Sequence, residues 1–168
     1  MGDIKNLSDN DAIAKIKQLV SDATTCMFVT HLTQQPLSSR PMAAQQVDEE
    51  GNIWFLSSRY SEKNSDIEHD DNVQLFFSNN NQYEYLSVYG KAAIIVDKEK
   101  AKELWTPIAK TWFHGGVDDP NLTLIKVHPS DAYYWDTKSN KMISLIKMLA
   151  GAVTGTTMDN GVQGKMKV

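Results

Sequence analysis

Between Asn52 and Asn79 a strand, a helix start and a second strand follow one another, and no other stretch constrains the fold so tightly. Ile53 to Ser57 is apolar, β-branched and aromatic, and Val73 to Ser78 repeats that signal. Between them Ser61 is placed to cap a short polar helix with Glu62 and Lys63 in its first turn. The first strand ends in two hydroxyls, Ser57 and Ser58. Free backbone N–H groups, the helix dipole and the Lys63 ammonium would then point at one spot, which suits an anion. A plain strand–helix connection with a solvated lysine has the same local sequence, so this stretch alone leaves both readings open.

The rest of the chain supplies strands of the same kind. Ser8 opens a helix whose stripe of Ile13, Ile16, Leu19 and Val20 covers a sheet; it ends near Ala23. Thr25 to Leu32 and Ser38 to Val47 read as strands, with Pro41 marking an edge or a bulge. Tyr83 to Val96 is a long strand with a bulge or bend at Gly90. Asp97 starts a helix with Ala101, Leu104, Trp105 and Ile108 on its apolar face, and Pro107 bends or breaks it before Trp112 and Phe113. Leu122 to His128 and Ala132 to Asp136 read as two strands paired across Pro129-Ser130, followed by a helix from Ser139 to Ala152. The expected organisation is one domain over residues 1–152, with a Gly- and Thr-rich tail over 153–168 that is disordered or laid over the body. Short strands joined by turns imply an antiparallel barrel or sandwich.

Charge and residue usage exclude several functions. A net charge of −4 argues against a nucleic-acid surface or a basic membrane patch. No apolar run reaches membrane-spanning length, and no apolar signal region opens the chain. A single cysteine, Cys26, allows no intramolecular disulfide and fits a reducing, cytoplasmic setting; mid-strand, it reads as a buried inert thiol. His31, His69, His114 and His128 show no metal-ligand spacing, and Asp118-Asp119 lacks a third carboxylate at calcium-loop spacing. Arg40 is one of only two arginines, a residue suited to phosphate or to a rim salt bridge. No nucleophile elbow, P-loop or dinucleotide fingerprint occurs, so any chemistry here falls to a cofactor, and no residue is assigned a catalytic role.

Several pieces occur in a distinctive order: Ser39-Arg40-Pro41-Met42, then Trp54 to Lys63, then Trp112-Phe113 before a Gly-Gly-x-Asp-Asp-Pro loop, then Ala132 to Asp136. In this the chain resembles the general stress protein branch of the pyridoxamine 5′-phosphate oxidase-like, FMN-binding split barrels, from about Ile13 to Asp136. The resemblance implies a mainly β, α+β fold: a six-stranded antiparallel split β-barrel with flanking helices. It also implies a homodimer with FMN at the subunit interface. By the same resemblance Arg40 contacts the cofactor, Pro41 and Met42 sit beside the isoalloxazine ring, and Ser57, Ser58 and Lys63 hold the phosphate. Trp112 and Phe113 would reach the partner's flavin. Two departures argue against vitamin B6 oxidation. Glu62-Lys63 stands where the true oxidases carry two basic residues, and no arginine follows Arg59. What remains is an FMN-dependent oxidoreductase of unknown substrate, with a nicotinamide as one candidate donor, or a flavin buffer or redox sensor without turnover. A haem or deazaflavin ligand in the same barrel is a third alternative.

Overall fold

The chain between Ser38 and Val47 changes partners halfway along, and this bend shapes the whole sheet. In a computed structural model describing residues 3–4, 7–137 and 161–167, strand β4 (Ser38–Ala43) follows β1 (Asp3–Ile4), β2 (Leu7–Ser8), helix α1 (Asp9–Ala23) and β3 (Thr25–Thr30). Strands β5 (Gln46–Val47) and β6 (Ile53–Ser58), helix α2 (Glu62–His69), β7 (Asn72–Asn79) and β8 (Glu84–Ile95) come next. Helix α3 (Lys98–Leu104), two 3-10 turns (Pro107–Thr111 and Gly116–Asp118), β9 (Leu122–Thr137) and β10 (Gly161–Lys167) complete the described elements.

Among the described residues β4 pairs only with β3, whereas β5 pairs with β6. One strand was expected over 38–47. It divides because Ala44 N–H donates to Thr24 O at 2.9 Å while Gln45 N–H donates to Trp54 O at 2.8 Å. The remaining order, β3–β7–β8–β9–β6, is antiparallel throughout. The barrel therefore closes at the β5–β6 end and opens between β4 and β6. Pro41 lies on that open edge, where a missing N–H does no harm. Seven strands have six residues or more, one beyond the expected six. The seventh is β10: the part of the tail at 161–167 lies antiparallel on β9. The helix expected at Ser139–Ala152, and the boundary between residues 152 and 153, fall outside the described residues.

β9 corrects another expectation. Pro129 and Ser130 do not make a turn between two paired strands. Both halves pair with β8 in one continuous strand, and the register shifts where Gly90 opposes Pro129, leaving Ser130 as the extra residue of a bulge. The bulge sits here because a Cβ on Gly90 would lie 2.3 Å from the His128 carbonyl oxygen, an approach only glycine permits.

The core explains the β6 sequence. Ile53 and Phe55 face the barrel interior with Phe28, Leu75, Val88 and Ile125, under the α1 stripe of Ala12, Ile16, Leu19 and Val20. Phe28 and Phe55 meet edge to face at 5.3 Å. On the other face of β6, Trp54 packs with Ala101, Leu104, Phe113 and Leu124 in a second cluster. A strand buried on both faces reads as a continuous apolar run rather than an alternation. Cys26 is buried in the first cluster, and burial pushes its thiol up to about 12, leaving it unreactive.

The turn into β6 hangs on Asp48. Its carboxylate accepts Glu50 N–H at 3.0 Å, Asn52 N–H at 2.9 Å and Trp54 Nε1–H at 2.8 Å, around a Gly51 with φ +84°. Burial alone would raise its pKa, but the Trp54 and Asn52 side chains and the two backbone donors more than offset this and hold it low. A depressed folded pKa contributes stability that is present above the unfolded value of 3.8 and lost as pH falls through the folded one. Asp48→Ala should therefore cost about 1.5–3 kcal/mol at neutral pH by urea unfolding. The gap from wild type should close in acid below the carboxylate range; a gap of unchanged size there would refute this account.

Candidate functional site

A cleft of about 360 Å³ lies where β4 and β6 diverge. Pro41, Met42 and Ala43 form one wall, and Leu56, Ser57 and Ser58 form the other. Lys63 at the start of α2 closes one end, while Thr106, Ile108, Ala109, Trp112 and Phe113 come across from the 3-10 segment. Seven of the eight residues singled out in the sequence thus line a single cleft. The eighth, Arg40, is not a lining residue, although its charge is felt by Lys63.

The start of α2 is pinned from below. Ser61 caps it, and its side chain accepts Asn64 N–H at 3.4 Å. Asn64 Nδ2–H donates to Thr123 Oγ1 at 2.9 Å, Ser57 Oγ–H donates to Asn64 Oδ1 at 2.6 Å, and Thr123 Oγ1–H donates to Ser57 O at 3.0 Å. All three residues are buried, so the loop of bonds fixes α2 to β6 and β9. Asn64 and Thr123 were not foreseen. Nothing local marks them, because their partners lie 7 and 59 residues away.

This network changes what the hydroxyls can do. Ser57 directs its proton to Asn64, and Ser58 donates to Asn121 Oδ1 at 3.0 Å. Both line the cleft, yet in this arrangement neither hydroxyl is aimed at a ligand as a donor. Lys63 differs. It is half-buried rather than exposed as its helix start suggested, and among the described residues no carboxylate pairs with it. Burial first, and then the Arg40 charge, hold its ammonium below the usual lysine range. Glu62, beside it, points to solvent.

Arg40 is half-buried in a network of its own. Its guanidinium donates to Thr30 Oγ1 at 2.7 Å, to Ser38 Oγ at 2.5 Å and to Asp66 Oδ2 at 3.4 Å. The rim salt bridge left open by the sequence is therefore present, next to the cleft rather than instead of it. Trp112 and Ile108 are 64% and 67% exposed at the cleft rim, which leaves a wide apolar lip. Phe113 is buried in the second cluster of its own chain and shows the cleft only one side. Trp105, expected in the core, is half-buried against that same cluster.

The other candidates stay structural. His31 pairs with Asp66 at 3.2 Å, His69 meets Ser65 O at 2.7 Å, and His128 meets Asn52 Oδ1 at 2.9 Å. Asp118 pairs with Lys98, and Asp119 accepts Gly115 and Asn121 N–H. Among the described residues no cluster of metal-ligating side chains occurs, and no helix is long and apolar enough to cross a membrane.

Residues 11–159 match the family described as pyridoxamine 5′-phosphate oxidase like. The chain belongs to that family. The chain is also similar to general stress protein 26 of Bacillus subtilis, 28% identical over 96 residues, which cover 55% of this chain and 68% of that protein. Protein bli-3 of Neurospora crassa is 27% identical over 154 residues, which cover 84% of this chain and 74% of that protein. A solved general stress FMN/FAD binding protein from Xanthomonas citri is 28% identical, with a TM-score of 0.65 over 77% of this chain and 90% of its own. A general stress protein 26 structure from Jannaschia sp. CCS1 shares the fold, with 23% identity and a TM-score of 0.80 over 94% of this chain and 99% of that one.

An ammonium that loses water without gaining a carboxylate destabilises the ligand-free fold. Its folded pKa lies below the unfolded 10.5, so stability rises as pH climbs through that interval, and the penalty is fully present at neutral pH. Lys63→Met should leave ligand-free stability equal to or above wild type in urea melts without phosphate. Added inorganic phosphate should then stabilise wild type but not the variant. A clear loss of stability in phosphate-free buffer would mean that the ammonium is already satisfied.

Proposed function

We propose that this chain is an FMN-binding general stress protein, cytoplasmic and homodimeric, whose flavin serves an oxidoreductase reaction of unknown substrate. The observation that carries the reading is Lys63: a half-buried cation that feels the Arg40 charge, without an acidic partner among the described residues, at the end of an apolar cleft. Such a site is completed by an anion on an apolar body, and a flavin phosphate has that form. Lys63, with Arg40 behind it, would hold the phosphate; Pro41, Met42, Leu56 and Trp112 offer surface for a planar ring. Bound FMN supplies hydride or electron transfer, which the chain's own side chains do not. The FMN/FAD binding description of the Xanthomonas citri relative supports the same class of ligand.

Lys63→Met should weaken FMN about ten- to a hundredfold, the share of one charge-assisted hydrogen bond of roughly 1.5–3 kcal/mol. Riboflavin, which lacks the phosphate, should bind as before. Fluorescence-quenching titrations of both flavins at fixed moderate salt make the comparison. Equal losses for the two would remove the phosphate reading.

One observation favours a second reading. Among the described residues lining the cleft, Lys63 is the only titratable one. A flavin buffer or redox sensor without turnover needs no acid or base, whereas most flavin reductases that protonate a substrate do. Steady-state NAD(P)H oxidation by the FMN-loaded protein separates the two.

The homodimer rests on the outer sheet face. Met27 on β3 faces Pro41 on β4 and Phe76 on β7, and Tyr85 on β8 faces Trp135 on β9; all five are exposed. Pro41 belongs to this face and to the cleft wall, so a second copy seated here would border the flavin site. Light scattering should give about 38 kDa, twice the 18.9 kDa chain; a value near 19 kDa at micromolar concentration would refute the dimer.

A further inference from the structure

Asp66 is the most deeply buried carboxylate beside the cleft, and both of its oxygens are in use. It is 4% exposed, three residues after Lys63 on α2. Oδ1 faces His31 Nε2 at 3.2 Å. Oδ2 accepts the Thr30 hydroxyl proton at 2.5 Å and lies 3.4 Å from Arg40 Nη2. Because Thr30 gives its proton to Asp66, its oxygen lone pairs are turned to Arg40 Nη1 at 2.7 Å. Thr30 is itself wholly buried, so this relay has one arrangement.

The arrangement fixes a guanidinium without exhausting it. Arginine has five N–H donors, and the bonds to Thr30, Ser38 and Asp66 engage three of them. The same helix carries Lys63, whose charge Asp66 does not pair, and the Asn64 network locks that helix to β6. One buried carboxylate thus sets the position of Arg40, on β4, relative to Lys63, on α2, across the opening of the barrel.

We propose that Asp66 is a positioning residue for anion recognition: through Thr30 it aims Arg40 so that Arg40 and Lys63 together select a phosphate monoester. This deepens the flavin-phosphate reading and depends on it. Asp66 touches no ligand and acts only through Arg40. A carboxylate this close to an anion site would otherwise weaken binding by simple repulsion, so the two possibilities predict opposite signs.

The test titrates FMN and riboflavin by fluorescence quenching against wild type, Asp66→Asn, Arg40→Met and the double variant. Asp66→Asn should weaken FMN roughly tenfold, the scale of one misplaced charge-assisted hydrogen bond, and leave riboflavin within about twofold. The double variant should bind FMN no more weakly than Arg40→Met alone, because a positioning residue has nothing left to position. Tighter FMN binding by Asp66→Asn, additive losses, or parallel losses of FMN and riboflavin would each overturn the proposal. Should Asp66→Asn fail to fold, Thr30→Ala and Thr30→Ser read the same relay. The serine variant keeps the hydroxyl and should bind FMN like wild type, and the alanine variant should not; equal binding by the two overturns the proposal. The Lys63→Met titration keeps the levels apart. If that variant fails to separate FMN from riboflavin, the phosphate reading falls. If it separates them and the Asp66 and Thr30 variants do not, only the positioning role falls.

Discussion

The bend at Ala44 and Gln45 is the constraint on which the rest depends. A strand can satisfy only one neighbour on each edge, and this chain segment gives its first half to β3 and its second half to β6. Two backbone bonds, Ala44 to Thr24 and Gln45 to Trp54, hold the crossover. Past it, β4 and β6 have no ladder between them, and the barrel opens. An open seam would expose backbone and core together. Here its floor is filled by polar residues that satisfy one another, and its lip by Ile108 and Trp112.

Polar burial at this seam is organised in two separate networks. Ser57, Asn64 and Thr123 fix the helix start to the sheet. Thr30, His31, Arg40 and Asp66 fix the edge strand to the same helix. Buried polar groups are tolerable only when their partners are in place, and among the described residues no buried side-chain nitrogen or oxygen lacks one. Against that background Lys63 stands out. It has lost water, it feels Arg40, and among the described residues it has no carboxylate of its own. The fold is complete around it, and the charge is not.

The chain's own periodicities made most elements legible. Ser61 capped its helix as its position implied, Asp97 did the same for α3, and Gly90 marked the bulge. Pro107 ended α3 and left a 3-10 turn in its place. Misreadings came where tertiary partners overrode a local signal. Pro129-Ser130 looks like a turn, yet both flanking segments find β8 beneath them, so the strand runs on with a bulge. The expectation that Ser57 and Ser58 hold a phosphate is a separate matter: both line the cleft, with their protons given to Asn64 and Asn121.

By itself the sequence determined the kinds of element, their order, and the grouping of Pro41, Met42, Ser57, Ser58 and Lys63 into motifs that recur together. Those properties follow from short-range periodicity, capping and backbone restriction, which act within a few residues. Only the tertiary structure decided which hydroxyls are committed, that Lys63 is half-buried and, among the described residues, unpaired by carboxylate, and that Asp66 reaches Arg40 through Thr30. Hydrogen-bond partners and desolvation depend on which strands lie side by side. Segments 26 and 36 residues apart, such as Arg40 with Asp66 and Thr30 with Asp66, meet only once the barrel has closed at one end and opened at the other.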